Sequence, residues 1–151
     1  MAAYEVVPHR GVGPVRLGMT RAESRAAMGA APRRSRRLRG GAEVDVYHGS
    51  AFRVDFDADD RVVFVELSRV EPPVVALYKG ADVFALTADE AVAPVGRDAP
   101  FDPGHPEPGY TYVFPALELA LWRPVVEEPE GRHFSTIAVG VPGYFSGRVS
   151  E

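Results

Sequence analysis

The chain of 151 residues contains no cysteine. This absence excludes disulfide bonds, thiol catalysis, cysteine-ligated zinc, iron–sulfur clusters and lipid anchors attached through a thiol. The sequence also has no apolar run close to the roughly 18 residues that a membrane-spanning helix needs. Its N-terminal residues show no basic start followed by a long apolar stretch, so no signal peptide is predicted. We therefore expect a cytoplasmic protein that does not associate with a membrane.

Amino acids with AT-rich codons are also scarce. Asparagine and glutamine are absent, Lys79 is the only lysine and Ile137 is the only isoleucine. This composition is typical of GC-rich genomes such as those of actinobacteria, so the excess of arginine over lysine says little about binding. Hydrophobic residues at 46% and charged residues at 25% are ordinary for a globular protein. The net charge of −4 gives no general attraction to nucleic acid or acidic lipid.

A short helix followed by three strands is predicted in the first half of the chain. Thr20 and Glu23 form a capping box, and Gly29 is a stop signal, so a helix is expected over 20–28. Apolar and polar residues then alternate over 43–48, 51–56 and 61–67, which predicts an antiparallel meander. In the middle strand we expect Phe52, Val54 and Phe56 to face the helix, and Arg53 and Asp55 to face away.

The same order of elements is predicted again in the second half. Thr87, Glu90 and Gly96 each lie 67 residues after their counterparts Thr20, Glu23 and Gly29. Strand-like runs follow at 110–114, 117–122 and 133–139. Self-similarity at a fixed offset indicates a duplicated unit. We therefore predict one pseudo-duplicated α+β domain over 1–151, with repeats at 11–67 and 78–140 and a tail at 141–151.

The stretch from Gly13 to Glu23 and on to Gly29 resembles the opening of the BamE/SmpA-like and β-lactamase-inhibitor-protein-like superfamily. The resemblance implies two tandem helix-plus-meander repeats that form one curved antiparallel sheet, with the helices packed on one face. It further implies a scaffold without enzymatic activity whose open sheet face binds another protein, for example a cytoplasmic immunity or inhibitor protein. The secreted inhibitors of this superfamily carry a signal peptide and disulfides, and its outer-membrane lipoproteins carry a lipid-bearing cysteine. In this sequence no signal peptide is predicted, and there is no cysteine to form a disulfide or carry a lipid.

The outer side of this sheet is the predicted binding surface. Aromatic residues mixed with arginine and carboxylates are typical of protein interfaces. A shift of one residue in register would move a whole strand to the other face, and the two repeats could instead fold over each other and bury the aromatics. The expected outer residues are Tyr47, Arg53, Asp55, Phe64, Glu66, Tyr110, Tyr112, Glu118, Trp122 and Phe134. Tyr144 and Phe145 are expected to anchor the tail by packing.

No motif points to catalysis, a metal or a cofactor. The four histidines lack metal-binding spacing. The acidic stretch over 55–60 has Asp60 where a calcium loop needs glycine, and the twelfth residue from Asp55, Glu66, lies in a predicted strand, so a hairpin turn is expected there. The basic run from Arg33 to Arg39 contains no aromatic residue, which argues against binding of single-stranded nucleic acid, and an exposed connector is expected. An acidic protein partner would suit the run as well as nucleic acid, and nucleic acid is not expected as a partner. A monomer or weak dimer is expected. Two alternatives remain open: a small-molecule-binding domain with its ligand between sheet and helices, and a small hydrolase or isomerase.

Overall fold

The structure, a computed structural model, describes residues 2–36 and 43–145. These residues form an α+β fold with two α-helices and two sheets. The helices are α1 (Arg21–Met28) and α2 (Ala88–Gly96). The strands are β1 (Ala3–Val7), β2 (Gly11–Val12), β3 (Val15–Arg16), β4 (Arg33–Arg36), β5 (Glu43–Tyr47), β6 (Phe52–Phe56), β7 (Val62–Ser68), β8 (Val75–Tyr78), β9 (Ala81–Asp82), β10 (Thr111–Phe114), β11 (Leu119–Trp122) and β12 (Thr136–Gly140).

Both helices begin at the predicted capping boxes. The Thr20 hydroxyl accepts a hydrogen bond from the Glu23 amide at 3.1 Å, and the Glu23 carboxylate accepts one from the Thr20 amide at 2.9 Å. Thr87 and Glu90 make the same reciprocal pair at the start of α2. These bonds satisfy amides that the first helical turn leaves without a partner, and they lower the pKa of Glu23.

A seven-stranded antiparallel sheet carries both predicted meanders. Its strand order is β10-β11-β12-β7-β6-β5-β4, so the two meanders join where β12 pairs with β7. The alternating runs are confirmed as strands, with ends that differ by a few residues from those predicted. The largest difference is in the second meander, where residues 115–117 form a short 3₁₀ turn and Glu118 has a left-handed backbone. The strand predicted over 117–122 therefore begins at Leu119.

A second sheet of five strands was not predicted. Its order is β3-β2-β1-β8-β9, and it is mixed because β1 and β8 run parallel. The expectation of a single sheet is therefore wrong. Strands β2, β3 and β9 have two residues each, which is too short for any alternating pattern to be visible in the sequence.

The hydrophobic core lies between the two sheets. It contains buried residues from the five-stranded sheet, such as Val12 and Tyr78, and from the seven-stranded sheet, such as Phe52 and Leu67. Buried residues of α2 belong to the same cluster, namely Ala88, Ala91 and Val95. One face of the seven-stranded sheet is therefore occupied by the core.

Two local predictions need correction. Gly96 does not stop the second helix, because it lies inside α2 and the C-cap is Arg97. The basic run is not merely a connector: Arg33–Arg36 form the edge strand β4, which pairs with β5. Residues 37–39 of that run lie outside the described residues.

Candidate protein-binding face

Cross-strand register divides the side chains of the seven-stranded sheet between two faces. Residues that lie directly opposite each other in antiparallel strands project from the same face. One such row belongs to the core and consists of Tyr47, Phe52, Leu67, Ile137, Leu121 and Tyr112. The neighbouring row projects to the opposite side and consists of Val46, Arg53, Glu66, Ala138, Ala120 and Val113. We call this second side the outer face.

Arg53 is the centre of a charged cluster on the outer face. Its Nε donates to Asp55 Oδ1 at 3.1 Å, and its Nη1 lies 3.7 Å from Glu66 Oε1. The guanidinium also lies 5.1 Å from the centre of the Phe64 ring. Asp55 and Phe64 are buried, whereas Arg53 and Glu66 are partly exposed. Four predicted site residues are thus brought together on the predicted side of the sheet.

Residues 141–145 cover part of the outer face. The Val141 amide donates to the Val63 carbonyl at 3.0 Å, which extends the pairing beyond β12. The chain then turns, and the Tyr144 ring stacks on Phe64 with centres 4.9 Å apart. The Phe145 amide donates to Glu118 Oε2 at 3.2 Å. The segment is therefore anchored by packing, and it occupies Phe64 and Glu118, both expected to contact a partner.

Gly140 allows this turn to lie close to the sheet. A Cβ atom at position 140 would lie 2.6 Å from the Cβ of Tyr144, which is too close for any side chain. The absence of a side chain at Gly140 therefore lets the Tyr144 ring reach Phe64.

Trp122 lies on the outer face, away from this segment. It belongs to a third row, which projects in the same direction and contains Thr111, Trp122, Thr136 and Ser68. Its side chain is 39% exposed, which is unusual for tryptophan. The small residues Ala120, which is partly exposed, and Ala138, which is buried, lie between it and Glu66.

Three aromatic residues expected on the outer face lie on the core side instead. Tyr47 pairs with Phe52 and is buried in the core, where burial raises the pKa of its hydroxyl. Tyr112 packs edge-on against Phe101 and Phe134, with ring centres 4.9 and 5.5 Å apart. Phe134 is fully buried and lies before β12, which begins at Thr136. The prediction of one continuous strand over 133–139 therefore placed Phe134 on the wrong face of the sheet.

Tyr110 and Glu118 lie outside the strands. Tyr110 is exposed just before β10, and Glu118 is buried beneath residues 141–145. Of the predicted set, the exposed Trp122 and the partly exposed Arg53 and Glu66 therefore remain accessible on the outer face.

A buried carboxylate on the core side was not predicted. Asp45 lies between Val54 and the edge strand, and it is fully buried. Arg25 donates to both of its oxygens at 2.8 and 2.9 Å, and Arg21 Nη1 lies 3.3 Å from Oδ1. The charge pairs attach α1 to the sheet. The spacing of Arg21 and Arg25, one helical turn apart, was the signal available in the sequence.

Two further contacts complete this cluster. Arg21 donates to Asp60 at 3.0 Å, and this bond lowers the pKa of Asp60. The Arg21 guanidinium also lies 4.0 Å above the Phe56 ring. These contacts of Arg21 and Arg25 attach α1 to the rest of the protein, so we assign the cluster a role in stability.

Tyr78 and Asp98 form a second partly buried pair. The Tyr78 hydroxyl donates to Asp98 Oδ2, and Lys79 Nζ donates to Oδ1 at 2.9 Å. The pKa of Tyr78 is raised mainly by burial and, to a smaller extent, by the hydrogen bond to Asp98. The hydrogen bond from Tyr78 lowers the pKa of Asp98. This arrangement fixes the end of α2 against β8.

The histidines are used in single structural contacts. His9 Nε2 bonds to the Ala116 carbonyl and His133 Nδ1 to the Leu86 carbonyl, each at 2.8 Å. Within residues 2–36 and 43–145, no group of three or more acidic or histidine side chains is arranged to hold a metal ion.

The acidic stretch forms the predicted hairpin turn. Asp57 Oδ1 accepts hydrogen bonds from the Asp59 and Arg61 amides at 2.9 and 3.0 Å.

Neither helix of the described residues is long and apolar enough to cross a membrane.

Comparison with known proteins finds no protein-family model, no curated protein and no solved structure that matches this chain.

Proposed function

We propose that this protein is a binding module without enzymatic activity that attaches to another protein through the outer face of its seven-stranded sheet. The observation that supports this proposal best is Trp122, a large aromatic side chain exposed on the face opposite the core. Tryptophan is strongly enriched among residues that dominate the affinity of protein interfaces.

The surroundings of Trp122 suit a protein partner. The small side chains of Ala120 and Ala138 separate it from the Arg53–Glu66 pair, so an aromatic anchor and a partly exposed charged pair lie on the same face. Protein interfaces commonly combine an aromatic centre with a polar periphery. In such an arrangement the tryptophan supplies affinity, and the charges determine register and association rate. The protein would act by covering a surface that its partner needs.

We further propose that the two halves of the chain derive from a duplicated unit of the BamE/SmpA-like and β-lactamase-inhibitor-like type. Two capping boxes that lie 67 residues apart, Thr20–Glu23 and Thr87–Glu90, support this. The first is followed by four antiparallel strands, β4 to β7, and the second by three, β10 to β12, and the two sets meet at β7 and β12. The same proposal includes two further points. Both helices lie on the core side of a curved sheet, and the protein has an immunity or inhibitor role in the cytoplasm.

Affinity capture with matched variants tests the proposed binding face. The wild-type protein, W122A and V7A are immobilised and exposed to a lysate of the native host at low and high salt. Val7 is an equally exposed apolar residue, but it lies on β1 of the other sheet. We expect a stoichiometric partner to bind wild type and V7A, to be lost from W122A and to bind less at high salt. Equal capture by W122A, or no capture by any variant, contradicts the proposal.

A further inference from the structure

Arg123 is a buried cation that no carboxylate neutralises within the described residues. It is 8% exposed. Its Nε donates to the Gly109 carbonyl at 2.9 Å and its Nη1 to the Gly131 carbonyl at 2.6 Å. Three of its five N–H groups have no acceptor among the residues that the structure describes. Nη2 is not among the fully buried atoms that lack a partner, so it reaches the protein surface, where an anion can accept a hydrogen bond from it.

The two carbonyl bonds give Arg123 a structural role as well. They join the loop before β10 to the loop between β11 and β12, and the guanidinium lies 5.6 Å from the centre of the Phe134 ring. The position of the side chain is thus fixed before any ligand arrives. A rigid donor loses little conformational entropy on binding.

Arg123 lines a cleft of about 440 Å³ that carries charges of both signs. Arg132 contributes a second cation, and Asp89 and Glu128 contribute carboxylates. Arg132 Nε lies 4.0 Å from Glu128 in an exposed ion pair, which is too long and too solvated to be strong. Asp89 makes no hydrogen bond or ion pair within the described residues. The cleft therefore offers two cations and two carboxylates.

The first turn of α2 borders this cleft, but it does not create the site. The Glu90 amide is already bonded to the Thr87 hydroxyl, and the Ala88 amide to the Arg132 carbonyl at 2.9 Å. The attraction for a ligand therefore comes from side chains.

We infer that this cleft binds a small zwitterion of the size of a free α-amino acid. The ligand's carboxylate accepts hydrogen bonds from Arg123 and Arg132, and its ammonium group lies against Asp89. A purely anionic ligand would be repelled by Asp89 and Glu128, whereas a zwitterion matches both signs. The cleft volume falls within the range of about 300–1,000 Å³ that is usual for small-ligand pockets. This inference does not depend on the outer face.

An NMR titration of the ¹⁵N-labelled protein tests the inference. The probes are pools of the common amino acids, with acetate and methylammonium as ligands that carry one charge each. We expect saturable shifts of the Asp89, Gly131 and Arg132 amides with at least one amino acid. Acetate and methylammonium should bind at least about tenfold more weakly, because each makes only part of the charged contacts.

Variants of exposed residues separate the contacts without disturbing Arg123. R132A should weaken binding of both the amino acid and acetate by about tenfold. D89N should weaken binding of the amino acid and leave acetate binding unchanged or improved. R97A, at the other end of the same helix, is the matched control and should bind as wild type does. The spectrum of each variant shows directly whether its fold is retained.

Three results would overturn the inference. They are the absence of saturable shifts with every amino acid up to about 10 mM, acetate binding as tightly as the best amino acid, and shifts confined to residues outside the cleft.

Discussion

Replacement of Asp45 by asparagine should lower the stability of the protein more than any other single change of a charged residue to its neutral analogue. Asp45 is fully buried and is bonded to Arg25 at 2.8 and 2.9 Å and to Arg21 at 3.3 Å. The substituted amide would keep the size of the side chain but would leave two partly buried guanidinium groups without their shared counter-ion.

The expected loss follows from the burial of the three partners. Removal of one partner from a buried ion pair costs about 3–5 kcal/mol. The side chains of Arg21 and Arg25 are 17% and 28% exposed, so water can partly solvate them. We therefore expect about 3 kcal/mol, the lower end of that range. At about 2–4 °C per kcal/mol for a chain of this size, the melting temperature should fall by about 6–12 °C.

D60N is the matched control, because Asp60 binds the same Arg21 but its side chain is 63% exposed. Asparagine also tolerates the left-handed backbone at this position, where φ is 60°. Thermal unfolding of wild type, D45N and D60N at neutral pH, at low and high salt, makes the comparison. D60N should melt close to wild type, and the deficit of D45N should persist in high salt because buried charges are poorly screened. Equally small shifts for D45N and D60N would refute the claim that Asp45 is the anchor of α1.

Three other predictions concern the core side, the covering segment and acid stability. Y112A should destabilise the protein by about 2–3 kcal/mol, because it removes a partly buried ring with two aromatic contacts. Chemical denaturation measures this loss of stability. An unchanged free energy of unfolding would place Tyr112 on the surface. G140A should displace the Tyr144 side chain from the sheet. The displacement should appear as loss of the ring-current shift caused by the Tyr144 ring in the NMR spectrum, and as faster proteolysis after β12. An unchanged NMR spectrum would contradict the close contact between Gly140 and Tyr144. Asp98 has a lowered pKa, so its stabilising effect is present above its unfolded pKa and is lost as pH falls through the folded value. The raised pKa of Tyr78 acts oppositely, because its stabilising effect is present below its unfolded pKa and is lost as pH rises through the folded value. Y78F should weaken both dependences in unfolding curves measured across pH, and curves that superimpose on wild type would argue against the pair.

The helix starts and the meanders were predictable because their signals are local. A capping box is complete within four residues, and both Thr20–Glu23 and Thr87–Glu90 form as expected. Period-two alternation in β6 also predicted that Arg53 and Asp55 project away from the core.

The second sheet was not predictable by the same means. Its central contact is the parallel pairing of β1 with β8, in which Tyr4 lies opposite Ala76. These segments are far apart in the sequence, and the short strands beside them have no periodicity. A long-range contact of this kind leaves no local signal.

The binding face was predicted only in part, because register depends on how each hairpin closes. Tyr47 lies opposite Phe52 across a loop of four residues, which places both on the core side. An error of one residue in that pairing reverses the face of every side chain in the strand. Coverage by residues 141–145 is a tertiary contact, so the sequence could indicate that Tyr144 and Phe145 would pack but not that they would lie on Phe64.

Photo-crosslinking in intact cells tests the proposed binding face most directly. A photoreactive phenylalanine analogue replaces Thr136, which lies opposite Trp122 on the outer face, or, as the control, Val7 on the five-stranded sheet. The proposed function predicts a single crosslinked protein partner from position 136 and none from position 7. Crosslinks from position 7 alone, or no crosslink from position 136, would contradict the assignment of the outer face as the partner-binding surface.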